Sequence, residues 1–331
     1  MKNKLKHLVP VLLALATITG SLSACELKPK AQQKVSKQGF YFDTIIQITL
    51  YGTTDEKYID DCFDMAKKYE DMLSNTVSYS EVSKINDAAG KEYVTVSDDT
   101  LELIKNGIEY GDTSDGRFDI TIGKLSDLWN FSEIAENTDS KDNEVDASVV
   151  PSDAQIQSEL SHVNYRNIQI NGNDVMLTDS KAKLDLGGIA KGFIADKMKA
   201  YLQSKKITSG IINLGGNVLT VGEKSDGSDY TVGIQKPFDE SGEPICTVKI
   251  KDKSVVTSGI YERYYRVDGK LYHHILDTTT GYPVKNNLYS VTIISDSSCD
   301  GDALSTTCFA LGIDKAKELI NSLSGVEAIF C

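Results

Sequence analysis

The chain has 331 residues, of which 40% are hydrophobic and 25% are charged. This length and composition can bury one large core or two ordinary ones, which excludes a disordered chain, a collagen-like chain and a membrane protein with several spans. Lysine and arginine number 35 against 48 aspartates and glutamates, so the formal charge is −13. Because such a surface repels phosphate backbones and the sequence contains no basic run to offset it, we expect no nucleic acid partner.

The first 25 residues are typical of an export signal. Lys2, Lys4 and Lys6 precede a mostly apolar stretch at residues 8–18, which is too short to cross the roughly 30 Å hydrocarbon core of a bilayer. Residues 22–25 (LSAC) resemble a bacterial lipobox, in which the cysteine becomes the lipidated N-terminus. We therefore predict a signal peptide at 1–24, lipidation at Cys25 and an extracytoplasmic lipoprotein anchored to the bacterial cell membrane. An ordinary secretory cleavage site is the alternative.

The next segments predict a tether followed by a folded domain. Residues 25–38 are polar and rich in lysine, which predicts a flexible tether, with the folded domain at 39–331. The patterns of apolar residues then predict the elements listed next. They are a strand at 43–51 and helices at 62–73 and 98–110. A capping box of Ser152 and Gln155 predicts the start of a third helix, which runs to Leu160. The acidic stretch 133–149 has few apolar residues, so we expect a solvated loop there and no calcium site.

The second half of the chain mixes short strands with helices. Helices are predicted to begin near Ile189, Asp302 and Asp314. Strands are predicted at residues 168–170, 175–178, 211–213, 230–234, 247–250, 261–267, 271–276 and 290–294. Strand and helix do not alternate strictly, which favours an α+β fold over a doubly wound parallel sheet.

Two segments place paired glycines at the end of a predicted strand. In residues 183–192 (KLDLGGIAKG) the glycines precede a helix, whose N-terminal amides form a natural anion site. Lys191 would add a positive charge there and Asp185 a hydrogen-bond acceptor. Residues 213–217 (NLGGN) repeat the pattern, yet neither segment has the spacing of a Rossmann or Walker motif. The alternative is that these glycines only turn the chain.

Two further segments carry groups suited to phosphate chemistry. Residues 302–306 (DALST) put Asp302 and Thr306 on one face of a helix, where a carboxylate and a hydroxyl suit magnesium. An acidic helix cap is the alternative. Residues 272–283 (YHHILDTTTGYP) put His273 and His274 on opposite faces of a strand, so that one can pack and the other can face a cleft as a proton carrier. Two structural histidines are the alternative.

The order of these motifs resembles the ApbE family of FAD:protein FMN transferases. The motifs that carry the resemblance are the lipobox, GRFDITIGKL (116–125) with Trp129, DLGGIAKG (185–192), NLGGN (213–217), TSG (257–259), HHILDTTTGYP (273–283) and DALST (302–306). The sequence departs from the family in two places. Phe42, Asp43 and Thr44 stand where many members have Met-Gly-Thr. Thr278 replaces the usual proline, a change that we expect to alter only loop stiffness.

The resemblance implies a T-fold-like α+β fold with mixed sheets and packed helices, forming one large catalytic domain with room for two lobes. It also implies magnesium-dependent transfer of FMN from FAD to a threonine or serine hydroxyl of an acceptor protein, with release of AMP. By the resemblance, Ala190, Asp302 and Thr306 would hold Mg²⁺, and His274 and Asp302 would be catalytic. The residues lining the FAD site would be Gly116, Arg117, Phe118, Asp119, Asp185, Gly188, Lys191, Asn213, Gly215, Gly216, Ser258 and Gly259.

Two alternative functions remain open at this point. An FAD pyrophosphatase would use water in the same site and release FMN and AMP. A flavin-binding lipoprotein would need no metal, and the proposed metal ligands argue against it. The sequence does not separate the transferase from the pyrophosphatase.

Overall fold

The computed structural model describes residues 33–138, 143–239, 241 and 243–331. The helices are α1 (Lys57–Leu73), α2 (Glu81–Asp87), α3 (Asp98–Thr113), α4 (Gly123–Trp129), α5 (Phe131–Glu136), α6 (Asp153–Leu160), α7 (Ala190–Ser204), α8 (Ser298–Leu311) and α9 (Ile313–Ser322). The strands are β1 (Lys34–Tyr41), β2 (Thr44–Tyr51), β3 (Val94–Thr95), β4 (Ile168–Asn171), β5 (Asp174–Leu177), β6 (Ser209–Leu214), β7 (Asn217–Gly222), β8 (Tyr230–Gln235), β9 (Pro244–Ile250), β10 (Ser254–Gly259), β11 (Tyr264–Val267), β12 (Lys270–His273), β13 (Ser290–Ser295) and β14 (Glu327–Phe330).

A 7-stranded sheet with the order β1-β2-β6-β7-β10-β13-β14 forms the centre of the fold, and its neighbouring strands pair antiparallel. Smaller sheets join β3, β5 and β4, join β8 with β9, and join β11 with β12. The small sheets and the helices lie between strands of the large sheet in sequence, as expected for an α+β fold, which is confirmed.

Helices α7 and α8 are central to the core. The buried side chains of α7, which include Phe193, Ile194 and Met198, belong to one apolar cluster with residues of β2, β6 and β7. Leu304 and Phe309 of α8 belong to a second cluster with residues of β13 and α9. Because most residues of α8 are buried, polar groups on this helix need partners inside the protein.

Several boundaries differ from the prediction. The predicted start of the domain at residue 39 is too late, because β1 begins at Lys34 and pairs with β2 over its whole length. Only Val35 of the early part of β1 is buried, so this edge strand looked like a polar tether in sequence. The predicted signal peptide and Cys25 lie outside the described residues. The helix predicted near Asp302 begins earlier, at Ser298.

The predicted acidic loop at residues 133–149 was partly wrong. Helix α5 covers the start of the predicted acidic loop, and a short 3₁₀ helix at Ala147–Val149 covers its end, while residues 139–142 lie outside the description. Two partly buried valines, Val145 and Val149, pack against an apolar cluster and hold this segment to the protein. Among the described residues, no helix is long and apolar enough to cross a membrane.

Candidate functional site

Helices α7 and α8 touch through their backbones at the predicted metal site. A Cβ atom on Gly192 would lie 2.1 Å from the carbonyl oxygen of Ser298, so only glycine allows this approach. There the backbone amide of Gly192 donates a hydrogen bond to Oδ2 of Asp302 at 2.9 Å. The contact places Asp302 against the first turn of α7, which begins at Ala190.

The structure rules out the alternative that Asp302 caps its helix. Ser297 is the cap of α8, and its side chain accepts a hydrogen bond from the amide of Asp300. Asp196 of α7 accepts hydrogen bonds from the amides of Ser298 and Cys299, both at 2.9 Å. Asp302 therefore lies one turn inside the helix, where the residue is 5% exposed.

The hydroxyl of Thr306 lies in a cluster of hydroxyl groups next to the end of β10. Ser258 Oγ lies 3.0 Å from Thr306 Oγ1 and 2.7 Å from Ser305 Oγ. Among the described residues, the Gly192 amide is the protein donor found on the buried Asp302 carboxylate, which leaves carboxylate oxygen available to a cation. A buried carboxylate with hydroxyl groups nearby is a set of hard oxygen donors, so these residues fit magnesium.

The first glycine segment folds over the N-terminus of α7. Asp185 Oδ1 accepts the amide of Gly187 at 2.8 Å, and a Cβ atom on Gly188 would lie 3.2 Å from the ring of Phe118. The Lys191 ammonium reaches the Gly187 carbonyl at 3.3 Å. No side chain caps α7 at its N-terminal position, Ile189. The amides of Ala190 and Gly192 are already bonded, to the Leu186 carbonyl and to Asp302, so an anion here would meet the positive end of the helix dipole and the Lys191 ammonium.

The segment around Gly116 is held by its own side chains. Arg117 Nη1 donates to Asp277 Oδ1 at 2.8 Å and to Thr279 Oγ1 at 3.2 Å. Asp119 is buried and accepts the amides of Thr121 and Tyr165, at 2.8 and 2.9 Å. Burial raises the pKa of this carboxyl group, although these donors oppose the shift. Both charged side chains are therefore engaged within the protein, and their contact with FAD stays a prediction.

The second pair of glycines forms the two-residue turn between β6 and β7. Gly215 and Gly216 have φ values of +59° and +94°, in the range where glycine is favoured. A Cβ atom on Gly215 would lie 2.2 Å from Thr44 Oγ1, and the side chain of Asn213 accepts the amide of Gly216 at 3.0 Å. The backbone conformation of the turn therefore requires these glycines, whether or not a ligand binds there.

The residues at which the sequence departs from the family also have defined positions in the structure. Phe42 and Asp43 form the turn between β1 and β2, with φ values of +54° and +52°. Thr278 does more than alter loop stiffness, because its hydroxyl donates a hydrogen bond to the carbonyl of Gly116 at 2.6 Å. A proline in this place has no hydroxyl and would not make this bond. The loop that follows His274 is thereby tied to the predicted FAD-binding segment.

The two histidines lie in different surroundings, and they do not share a strand as predicted, because the strand ends at His273 and His274 lies just beyond it. His273 is buried, its Nε2 lies 3.0 Å from the carbonyl of Val284, and burial lowers its pKa to about 4. Nδ1 of His274 lies 3.3 Å from the carbonyl of Arg263. Because a carbonyl oxygen only accepts, Nδ1 carries the proton and Nε2 keeps its lone pair.

His274 is kept neutral by its surroundings. Desolvation in its recess, followed by the charge of Arg263, lowers its pKa to about 3. Lys191 also acts on it electrostatically, so the imidazole lies towards the N-terminal end of α7. A neutral imidazole with a free Nε2 is able to accept a proton at physiological pH.

Sequence reasoning gave Glu262 no specific role and missed a cavity. Glu262 is exposed by surface area, yet it lies in a recess where desolvation raises its pKa to about 7, opposed by Lys191 and Arg263 and reinforced by Asp302. A separate polar cavity of about 260 Å³ borders the segment that leads into the first glycine pair, which is not a strand as predicted but irregular chain with one isolated bridge at Lys183. Its lining includes Asn75, Ser83, Asn86, Lys124 and Lys183. Residues so far apart in sequence gave no local signal.

Comparison with known proteins identifies the family. The sequence model of the ApbE family matches residues 42–330. The FAD:protein FMN transferase of Klebsiella pneumoniae is 38% identical over 287 residues, covering 86% of this chain and 85% of that protein. The protein of the same name from Treponema pallidum is 31% identical, covering 82% of this chain and 76% of its own length.

Solved structures show the same similarity. The ApbE protein of Thermotoga maritima superposes with a TM-score of 0.80 at 31% identity, covering 90% of this chain and 94% of that one. The flavin transferase ApbE of Vibrio cholerae superposes with a TM-score of 0.77 at 26% identity, covering 90% of this chain and 93% of that one. The sequence and the fold agree, and the chain belongs to the ApbE family.

Proposed function

We propose that this protein transfers FMN from FAD to a threonine or serine hydroxyl of an acceptor protein, with Mg²⁺ bound and AMP released. The observation that carries the proposal is the contact between Gly192 and Asp302, which joins the N-terminal turn of α7 to a buried carboxylate. This arrangement suits a pyrophosphate, because the helix end attracts anions and hard oxygen ligands attract magnesium. The names of the relatives, which are flavin transferases, support it.

Each group in the site has a distinct task in this proposal. Ala190, Asp302 and Thr306 would hold Mg²⁺, which when bound neutralises charge that develops on the pyrophosphate. The positive end of the α7 dipole and the Lys191 ammonium bind and orient the phosphates. Because the site has to fix a line of attack more than supply a covalent nucleophile, these positioning groups provide most of the catalysis.

His274 supplies the proton acceptor. The acceptor hydroxyl oxygen forms a bond to the phosphorus of the FMN moiety, the bond from that phosphorus to the AMP oxygen breaks, and AMP leaves with the bonding electrons. The hydroxyl proton passes to Nε2 of His274, whose lone pair is kept free by the bond between Nδ1 and the Arg263 carbonyl. The depressed pKa of His274 keeps the ring unprotonated at neutral pH, and the negative charge of the FAD phosphates would raise this pKa towards the range of an effective base.

Lipid anchoring is part of the same proposal and rests on the lipobox at residues 22–25. We infer that Cys25 is lipidated, so that the domain faces the extracytoplasmic side of the cell membrane. Labelling cells with radioactive palmitate tests this. The wild-type protein should take up label and fractionate with membranes, and Cys25→Ala should take up none; labelling of the variant would contradict the assignment.

One experiment separates the proposed function from its alternatives. The protein is incubated with FAD, MgCl₂ and envelope proteins of the producing bacterium, and both covalent flavin fluorescence on protein and free AMP are measured. The transferase yields a fluorescent acceptor together with AMP. Release of FMN and AMP without labelled protein would indicate the pyrophosphatase. Bound FAD without turnover would indicate a flavin-binding lipoprotein.

A further inference from the structure

An exposed cluster of aromatic rings lies beside the candidate site. The rings of Tyr261, Tyr264 and Tyr289 surround Phe238 with centroid distances of 6.0, 5.3 and 6.1 Å, each near perpendicular to the Phe238 ring. Phe238 is 37% exposed and Tyr289 is 53% exposed. We call these four residues the aromatic patch. Large side chains that gather on a surface mark interaction sites more often than scattered ones do.

The backbone at the centre of the patch is unusual. Phe238 has a φ of +56°, in the left-handed region that a bulky residue rarely occupies. Such a conformation costs on the order of 1 kcal/mol or more and persists where the surrounding structure holds it. Phe238 lies between β8 and β9, and this hairpin holds its ring at the surface in a strained conformation. Because the ring is partly exposed, packing in the core explains little of why an aromatic residue occupies this position.

The patch shares a segment of chain with the site. Ser258 at one end of this segment contacts Thr306, and the carbonyl of Arg263 at the other end binds His274. Between them, the ring of Tyr261 packs over Gly259, where an added Cβ would lie 2.5 Å from a ring atom. The segment from Ser258 to Tyr264 therefore has site contacts and patch contacts at neighbouring residues. A protein that covers the patch would lie next to the reacting groups.

The charges around the patch are also distinctive. The chain carries a net charge of −13 and has four arginines, two of which, Arg263 and Arg266, belong to this region. The guanidinium of Arg266 lies 5.9 Å from the ring centroids of both Phe238 and Tyr264. Aromatic residues and arginine are the types most enriched at the centres of protein interfaces. A partner with a carboxylate would complement Arg266, whereas the charge of Arg263 acts on Glu262 and His274.

We propose that the aromatic patch is the docking surface for the acceptor protein, whose segment presents an apolar side chain and a carboxylate beside the accepting hydroxyl. This inference rests on the proposed flavin transfer and specifies how the acceptor is selected. The apolar side chain packs on Phe238 and Tyr289, and the carboxylate faces Arg266. The accepting hydroxyl then extends along the shared segment towards His274.

The test uses Phe238→Ser and Tyr289→Ser in the full chain, with the envelope protein that the wild type labels, once purified, as the probe. Tyr93→Ser is the matched control, because Tyr93 is 44% exposed but belongs to no part of the patch. We expect the KM for the acceptor to rise about tenfold or more in both patch variants. AMP release from FAD without acceptor, and the affinity for FAD, should stay within about twofold, as should every property of the control.

The outcomes distinguish a failure of the docking surface from a failure of the proposed flavin transfer. If the wild type labels no acceptor, flavin transfer itself fails, and the docking surface fails with it. If the wild type labels the acceptor and the patch variants do so with unchanged KM, the docking surface is wrong while flavin transfer stands. A parallel loss of AMP release without acceptor would show that the patch shapes the FAD site instead. Raising the salt concentration should increase the wild-type KM, and a KM independent of salt would contradict the role of Arg266.

Discussion

Replacement of Gly192 by alanine tests the contact on which the site depends. The added Cβ would lie 2.1 Å from the Ser298 carbonyl oxygen, whereas real Cβ contacts essentially never fall below 3.0 Å. The backbones of α7 and α8 would therefore have to separate by about 1 Å. That separation stretches the hydrogen bond from the Gly192 amide to Asp302, now 2.9 Å, beyond the accepted range.

Opposing free energies decide whether Gly192→Ala stabilises or destabilises the protein. Alanine is favoured over glycine inside a helix by about 1 kcal/mol. The lost hydrogen bond to a charged group costs about 1.5–3 kcal/mol, and overpacking costs about 1–3 kcal/mol. We expect the free energy of unfolding, measured by chemical denaturation, to fall by about 2–4 kcal/mol.

A matched variant is Gly233→Ala, whose Cβ would lie 3.1 Å from Pro244 on an exposed strand that is able to shift slightly. We expect it to change the free energy of unfolding by less than about 1 kcal/mol. If Gly192→Ala were as stable as the wild type, the close approach of the two helices would be wrong, and with it the position of the metal site.

Three further predictions concern groups around the site. Thr278→Val removes the hydrogen bond to Gly116, so stability measured by denaturation should fall by about 1 kcal/mol, and the KM for FAD should rise severalfold, while Thr278→Ser should retain both. Asp196→Ala leaves amides at the start of α8 without an acceptor, so thermal unfolding should show a loss of about 1–3 kcal/mol; a change below 0.5 kcal/mol would contradict this capping role. Burial lowers the pKa of His273 to about 4 from 6.5, so the unfolded chain binds the extra proton between these pH values. The contribution of His273 to the free energy of unfolding should be fully present above pH 6.5 and should fall by up to about 3 kcal/mol towards pH 4. The His273→Gln variant should lose this pH dependence.

The sequence predicted much of the local structure because local patterns carry it. The helix at Asp98–Thr113 and the capping box that opens α6 follow from apolar spacing and the cap residues, and both are confirmed. The edge strand β1 was missed because it alternates polar and partly buried residues, and only its pairing with β2 defines it. The start of α8 was misplaced because the cap at Ser297 is completed by Asp196, which is distant in sequence.

The site was predicted as a set of motifs, and its geometry depends on contacts that no motif contains. The glycine at position 192 was part of a recognised segment, but its contact with Ser298 and Asp302 joins two helices far apart in the chain. The electrostatic effect of Glu262 on the site likewise depends on Lys191, Arg263 and Asp302 meeting in space. Tertiary packing brings such groups together, so a single sequence gives no measure of their distances.

The most direct test of the proposed function is the rate of FMN attachment to an acceptor protein as a function of Mg²⁺ concentration, for Asp302→Ala and Asp300→Ala. Both aspartates belong to α8, but Asp300 is exposed and bonded to Tyr110, whereas Asp302 is buried against α7. We predict that Asp302→Ala lowers the rate by about 100-fold or more and weakens its dependence on Mg²⁺, because the metal loses its carboxylate ligand. Asp300→Ala should stay within about threefold of the wild type. A rate and Mg²⁺ dependence near those of the wild type in Asp302→Ala would contradict the account.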